Sequence, residues 1–282
     1  MRIVITGGAG RLGRVLLREL RNTHDVLVFD RASPQDTDGV RIRIGDHHDL
    51  GQVVGSLKGA DLVVHLSADT YPGLHSEERQ FATNVLGAFN VAEAAAIVGI
   101  SKLVFASSPS PLGFMAPRDT FRISYLPIDE DHRLMPHNAY GLSKLVTEEI
   151  LKAWQRRTGG SAIVIRPCYI VALEEYESRL RPRLENPELA AGNLFNYVDV
   201  RDAAQAFRLA VEKDLPGYNL FFAGAPDALA REPLAQLLPR YYPGTEELAA
   251  GLTGTRPAIS NARAEAVLGY RPRYSWRGFD RS

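Results

Sequence analysis

Short apolar runs rich in β-branched residues alternate with longer stretches of helical period along most of this chain. The runs are RIVIT at 2–6, DVLVF at 25–29, VRIRI at 40–44, DLVVHL at 61–66, KLVFAS at 102–107 and AIVIR at 162–166. Helical patterns lie between them, around 11–22, 49–57, 77–99 and 137–157. Strands that are apolar on both faces and separated by helices predict an α/β fold with a doubly wound parallel sheet, covered by helices on both sides. After Arg166 the rhythm breaks. CYIVALEEYESRLRPRLENPELAAGN, from Cys168, mixes Pro, Gly and charges without a period and reads as loops with at most one short helix. A helix at 200–213, a strand at 218–222 and helices near 231–240 and 260–268 complete the chain. The expected organisation is a core domain over 1–170 and a small C-terminal lobe over 171–282, with 197–222 returning to the core.

Composition narrows the partners. The 33 basic residues balance 33 acidic ones, so no charge excess points to nucleic acid or an anionic membrane. Cys168 is the only cysteine, which excludes an internal disulfide and fits a reducing compartment. The first strand begins at Arg2, leaving no room for a leader, and no apolar run approaches the roughly 20 residues of a membrane span. The expectation is a cytoplasmic protein.

The segment TGGAGRLG, residues 6–13, joins the first strand to the amphipathic stretch RLGRVLLREL. Gly7, Gly10 and Gly13 therefore stand at a strand-to-helix turn, where backbone can approach a pyrophosphate and the helix N-terminus faces its charge. A glycine triplet alone also fits a turn without ligand. The second strand, however, ends at Asp30, about 20 residues past the loop, where a carboxylate accepts hydrogen bonds from ribose hydroxyls and repels a 2′-phosphate. Together these residues make a Rossmann-type dinucleotide pattern and predict NAD over NADP. Arg11 and Arg31 pull the other way, since a guanidinium beside the ribose binds that phosphate. Asp46, just past the third strand, suits either the adenine edge or a cap for the helix starting near Asp49.

Tyr140 and Lys144 are four residues apart on the helix that begins near Pro136, so they share a face. Proton exchange with a substrate hydroxyl needs a pKa near the working pH, and free tyrosine titrates near 10. A nearby ammonium stabilises the phenolate at about 1.4 kcal/mol per pH unit of depression. Ser108, at the end of the fifth strand, can bind the same substrate oxygen. A Tyr and a Lys at this spacing also occur on ordinary solvated helices; the position downstream of a dinucleotide loop and a fifth strand selects the catalytic reading.

These motifs resemble those of the extended short-chain dehydrogenases/reductases, the NAD-dependent epimerase/dehydratase family. The resemblance runs through TGGAGRLG, Asp30, GDHHDL (45–50), HLSA (65–68), NVLGAFNVAEAA from Asn84, FASS (105–108), YGLSK (140–144), RP (166–167) and YVDVRDAA (197–204). It implies NAD as cofactor and Ser108, Tyr140 and Lys144 as catalytic residues, with Tyr140 and Lys144 also in the cofactor site, Lys144 on the nicotinamide ribose. It further implies that Arg11, Leu12, Leu66, Ser67, Ala68 and Asn84 belong to the cofactor site, Asn84 as the helix-bending asparagine, and that Pro167 and Cys168 lie against the nicotinamide. Family members pair the helices matching 77–99 and 137–157 into a homodimer, and Leu142, Val146 and Trp154 suggest an apolar face there.

Departures from the family pattern bear on the reaction. Dehydratases follow the catalytic Ser/Thr with an acidic pair, but here Pro109 and Ser110 stand in those places, which disfavours dehydration. Enzymes of nucleotide sugars carry a long insertion where only about 30 residues separate Arg166 from Tyr197, so a smaller sugar, sugar acid or polyol is expected. The compact uronate dehydrogenases show the most similar outline, although they hold an Asn-His pair where Pro109 and Ser110 stand. For a carboxylate substrate Arg179, Arg181 or Arg183 can form a bidentate clamp, or all three belong to a solvated loop. Tyr169 lines a pocket or fills core, Asp69 and Thr70 touch substrate or form a turn, and Cys168 is a thiol nucleophile or a packing residue. His137 and Asn138 suit the cap of the Tyr140 helix. None of the seven histidines has ligand spacing on a common helix face, so no metal is expected. Dehydrogenase and epimerase outcomes stay open, a nucleotide-sugar 4-epimerase is the alternative, and a non-catalytic dinucleotide sensor is the rival from another class.

Overall fold

The computed structural model describes residues 1–33, 39–70, 75–114 and 122–279. Six strands form on the apolar runs: β1 (Arg2–Thr6), β2 (Asp25–Asp30), β3 (Arg41–Ile44), β4 (Leu62–His65), β5 (Lys102–Ala106) and β6 (Ser161–Pro167). Two short strands, β7 (Ile170–Val171) and β8 (Val198–Asp199), pair in parallel with each other, and β9 (Tyr218–Ala223) follows. The seven-stranded sheet runs β3-β2-β1-β4-β5-β6-β9. The pairings from β3 to β6 are parallel, and the constant offset of Ala162 N–H to Gly217 O and Cys168 N–H to Ala223 O makes β9 parallel too. The doubly wound expectation therefore holds, with the order reversing between β1 and β4, where such sheets bind ligands.

The chain forms two compact units that interleave in sequence. One comprises Met1–Ser107, Asn138–Ile165 and Phe207–Leu220; the other comprises Ser108–His137, Arg166–Ala206 and Phe221–Ser282. In the first, the helices α1 (Arg11–Leu20), α2 (Leu50–Leu57), α3 (Glu77–Val98) and α4 (Ala139–Thr158) cover the sheet. Their ends follow local chemistry. Asp49, Ser76 and Asn138 accept from Gln52, Arg79 and Gly141 N–H groups as N-caps, and Gly99 and Gly159 end α3 and α4 with φ of 80° and 71°.

The core of this unit joins Val4, Leu27, Phe29, Val63, Leu103 and Phe105 of the sheet to Ala88, Val91, Ala92 and Ala95 of α3 and Leu151 and Trp154 of α4. Trp154 is thus a core residue, a correction to its placement on an outer face. A second correction concerns α3, which is 22 residues long with a mean hydropathy of 1.4 over an 18-residue window and so passes for a span by length and composition. Its alanine-rich face is buried on the sheet, as expected of a helix that must approach strands closely.

The second unit corrects the reading of residues 168–193 as loops. A 3-10 turn (Leu173–Glu175), a π-helical turn (Tyr176–Leu180) and helices at Arg181–Glu185 and Glu188–Ala191 succeed one another there. Buried carboxylates tie this irregular chain together. Asp199 accepts from the Tyr176 hydroxyl at 2.8 Å and from Arg201 twice at 2.8 Å. Asp202 accepts from the backbone N–H groups of Arg273 and Tyr274 at 2.9 Å. Asp227 accepts from Tyr197, Ser275 and Arg277.

Candidate active site

The glycine turn after β1 is set by close approach. Gly7 has φ of +74°, and a Cβ there would stand 2.6 Å from the Ser67 nitrogen. A Cβ on Gly13 would stand 2.4 Å from the Gly7 carbonyl oxygen, so this residue lets α1 begin against the turn. Gly10 is the N-cap of α1 and brings no side chain to its N-terminus, which keeps that positive helix end available to an anion. Arg11 and Leu12 open the helix, and Leu66 N–H donates to Thr6 O at 3.0 Å, aligning the ends of β1 and β4.

Asp30 ends β2 and accepts from Ala9 N–H at 2.9 Å and from Ala32 N–H at 3.3 Å, so the carboxylate is locked to the glycine turn. Arg31 donates to Asp46 Oδ1 at 2.7 Å and meets His48 Nδ1 at 3.0 Å. Its guanidinium is therefore held toward β3's far end. Burial would raise the Asp46 pKa, but hydrogen bonds from His48 N–H and Arg31 outweigh it and hold the carboxyl below its ordinary value. Asp49, not Asp46, caps α2. An uncapped helix end beside glycines that admit no side chain, with a fixed carboxylate 20 residues on, fits a dinucleotide.

On α4, Lys144 Nζ stands 5.7 Å from the centroid of the Tyr140 ring and donates to Ala106 O, at the end of β5, at 3.0 Å. Burial lowers the Lys144 pKa to about 8, opposed by the charge of Glu148. The ammonium is thus retained at neutral pH in a site where amines ordinarily lose their proton more readily than in water. Asn84 of α3 donates to Ser143 Oγ at 3.1 Å and brackets Asp69, accepting from its N–H at 2.7 Å and donating to its carbonyl at 3.1 Å. Asp69 carries a partner that sequence reasoning missed: His75 Nδ1 lies 2.6 Å from its Oδ2. Also missed is Glu148, whose buried carboxylate accepts from Ser107 Oγ at 2.6 Å. Its place one turn after Lys144 on the same face was the available signal. Thr70 is exposed.

In the second unit, Ser108 Oγ accepts from Ser110 N–H at 3.1 Å and shares a hydrogen bond with Ser110 Oγ at 2.9 Å, on the turn that Pro109 opens. Cys168 is buried beside Gly224, and burial pushes its thiol up to about 12. A buried thiol so hard to ionise suits the packing alternative rather than the nucleophile. Pro167 ends β6. Tyr169 accepts from Arg179 at 3.3 Å, and Arg183 stacks 4.8 Å from its ring centroid. Arg179 pairs with Glu175 at 3.1 Å and Arg181 pairs with Glu177, so these arginines form an ordered cluster where a solvated loop was one expectation.

The model of the NAD dependent epimerase/dehydratase family matches residues 3–220. The chain belongs to this family. It is accordingly an NAD-dependent enzyme of the short-chain dehydrogenase/reductase type. Among curated relatives, the family member is 28% identical to an L-arabinose 1-dehydrogenase (NAD(P)(+)) of Haloferax volcanii, over 76% of this chain and 84% of that protein. It is 25% identical to a UDP-glucose 4-epimerase of Corynebacterium glutamicum over 98% and 92% of the two chains. A uronate dehydrogenase of Pseudomonas syringae is 31% identical over 58% of each. Among solved structures, a short-chain dehydrogenase/reductase superfamily protein of Agrobacterium tumefaciens with bound NAD superposes with a TM-score of 0.73 at 27% identity, covering 98% of this chain and 94% of that one.

Proposed function

We propose that this family member uses NAD to oxidise or epimerise a carbinol carbon of a small free sugar or sugar acid, with Tyr140 as the acid/base. The supporting observation is the shared face of α4, where the buried Lys144 ammonium stands over the Tyr140 ring while anchored to the end of β5. Bound NAD supplies the acceptor for the hydride leaving the carbinol carbon. Tyr140 takes the hydroxyl proton as the carbonyl forms, Lys144 favours the phenolate that can do so, and Ser108 hydrogen-bonds the reacting oxygen. Gly7, Gly10 and Gly13 carry the pyrophosphate with Arg11 and Leu12, and Asp30 takes the adenosine ribose. Asp46 borders the adenine, Leu66, Ser67, Ala68 and Asn84 line the far ribose, and Pro167 and Cys168 the nicotinamide.

Pro109 and Ser110 replace the acidic pair of dehydratases, which leaves oxidation and epimerisation as outcomes. Substrate recognition falls to Asp69, Thr70, Pro109, Ser110, Tyr169 and Arg179, the last as one arm of a carboxylate clamp. Relatives named for L-arabinose and uronate support a free sugar. The end-to-end match to a UDP-glucose 4-epimerase supports the second reading, a nucleotide-sugar 4-epimerase. Leu86, Phe89 and Ile97 of α3 and Leu142 of α4 are between 43% and 57% exposed, an apolar stripe that suits a cytoplasmic homodimer formed through these helices.

The test is a panel of aldoses, uronic acids and UDP-sugars with NAD, read by NADH absorbance and by product stereochemistry. NADH accumulating with an aldose or uronic acid supports the first reading. An epimerised UDP-sugar without free NADH selects the second. NAD binding without turnover on any member would make the chain a sensor and overturn both.

A further inference from the structure

Within the described residues of the first unit, Glu148 is the one buried carboxylate, 1% exposed. A buried acid is costly unless cations and donors answer it. Its surroundings are specific. Glu148 follows Lys144 by one turn of α4, and the two side chains grip consecutive residues at the end of β5: Lys144 Nζ donates to Ala106 O at 3.0 Å, and Ser107 Oγ donates to Glu148 at 2.6 Å. Ser107 N–H is held in turn by Ile165 O at 2.8 Å, so the grip acts on a fixed strand end. Ser108 is the next residue in sequence.

We propose that Glu148 is a positioning residue for the Tyr140 and Lys144 chemistry: its buried carboxylate keeps the Lys144 ammonium charged and fixes the end of β5 on which that ammonium is anchored. The inference rests on the proposed catalytic role of Lys144 and names a residue outside the Tyr-Lys pair. Two other titratable groups of this unit bear on Lys144: Tyr140, whose ring lies under the ammonium, and His65 at the end of β4. His65 is buried and its pKa lies well below its ordinary value, through burial first and then the charges of His47 and Lys144, so it stays neutral. Tyr140 favours the ammonium through its ring, but its neutral form carries no negative charge to set against burial. Among the described residues of this unit, Glu148 adds the buried negative charge, one turn from Lys144 on the same helix face. The Lys144 pKa of about 8, with Glu148 as the charge that raises it against burial, agrees.

The chain has five lysines, so a [13Cε]lysine spectrum of the full-length protein is simple to assign, with Lys144→Arg identifying the relevant signal. In the wild type Lys144 titrates near 8. Glu148→Gln keeps an oxygen for Ser107 but removes the charge, and the midpoint falls by about one pH unit or more, as expected for charges one helical turn apart in a buried site. Glu148→Asp keeps the charge and stays within about half a pH unit of wild type. Ser107→Ala removes the hydrogen bond alone and leaves the Lys144 midpoint in place.

An unmoved midpoint in Glu148→Gln, or an equal fall in Ser107→Ala, overturns the proposal by showing that packing rather than charge sets the lysine. Should Glu148→Gln fail to fold, a fall of a full pH unit in Glu148→Asp, or a wild-type midpoint at 7 or below, overturns it as well. With a turned-over substrate, the alkaline limb of the pH profile moves with the midpoint. A moved midpoint beside an unmoved profile supports the pairing while counting against Lys144 in the reaction, which separates the two claims.

Discussion

The two units bury polar groups for different ends. In the first, regular strands and helices complete their own backbone hydrogen bonds, and its buried charged or titratable side chains are His47, His65, Lys144 and Glu148 among the described residues. In the second, irregular chain is tied down by Glu130, Asp199, Asp202 and Asp227, each buried and each collecting donors. Periodicity builds one unit and leaves its polar groups to chemistry. Long-range carboxylate contacts build the other and spend its polar groups on architecture. The difference predicts where substitutions act on stability and where they act on function.

The largest effect is expected from Asp202→Ala. It removes the buried carboxylate that accepts from the part-buried N–H groups of Arg273 and Tyr274, at a cost of about 3 kcal/mol in urea unfolding. A loss under about 1 kcal/mol would erase the contrast between the units. Gly13→Ala acts on the other side of the comparison: its Cβ would stand 2.4 Å from the Gly7 oxygen, and the displaced turn loses NAD affinity by about 100-fold, or about 2.7 kcal/mol, by calorimetry. Binding within threefold of wild type would contradict the close-approach account.

Acid lability should also belong to the first unit. Burial, then the charges of His48 and Arg31, lower the His47 pKa to about 4. A histidine depressed in the folded state leaves stability unaffected above its unfolded pKa of about 6.5 and reduces it as pH falls below that, until its folded pKa is passed. Between pH 8 and pH 5 His47 therefore removes about 2 kcal/mol, and His47→Gln loses correspondingly less in chemical denaturation over that range. An identical pH slope in both proteins would refute it. The smallest effect is Asp46→Asn, which loosens an exposed ion pair and frees Arg31, moving the NADP to NAD affinity ratio up by about three- to fivefold. A fall in that ratio would place Arg31 elsewhere.

The same contrast explains what was legible in sequence. The central strands of the first unit announce themselves because both faces are apolar, the edge strand β3 by its alternation of Arg and Ile, and Asp30 and Asn138 because each sits where a strand ends or a helix begins. Residues 168–193 gave no such signal: helical pieces of five and four residues complete too few turns to show a period. What fixes them is a tyrosine reaching a carboxylate 23 residues away, as Tyr176 does to Asp199. The hydrogen bond from Ser107 to Glu148, across 41 residues, is similarly invisible to local reading, although Glu148's place one turn after Lys144 is not. Trp154 was misplaced because its helix shows apolar residues on more than one face, and only the packing distinguishes them.

The account turns on one phenol exchanging a proton with substrate, a role distinct from the pyrophosphate and ribose contacts that hold the cofactor. Tyr140→Phe tests this with two readings on one protein, turnover of the best panel substrate and NAD affinity by calorimetry. The account predicts turnover reduced by about 1000-fold or more, within the range that general acid/base groups supply, and NAD affinity within about twofold of wild type. Turnover within tenfold of wild type would contradict it.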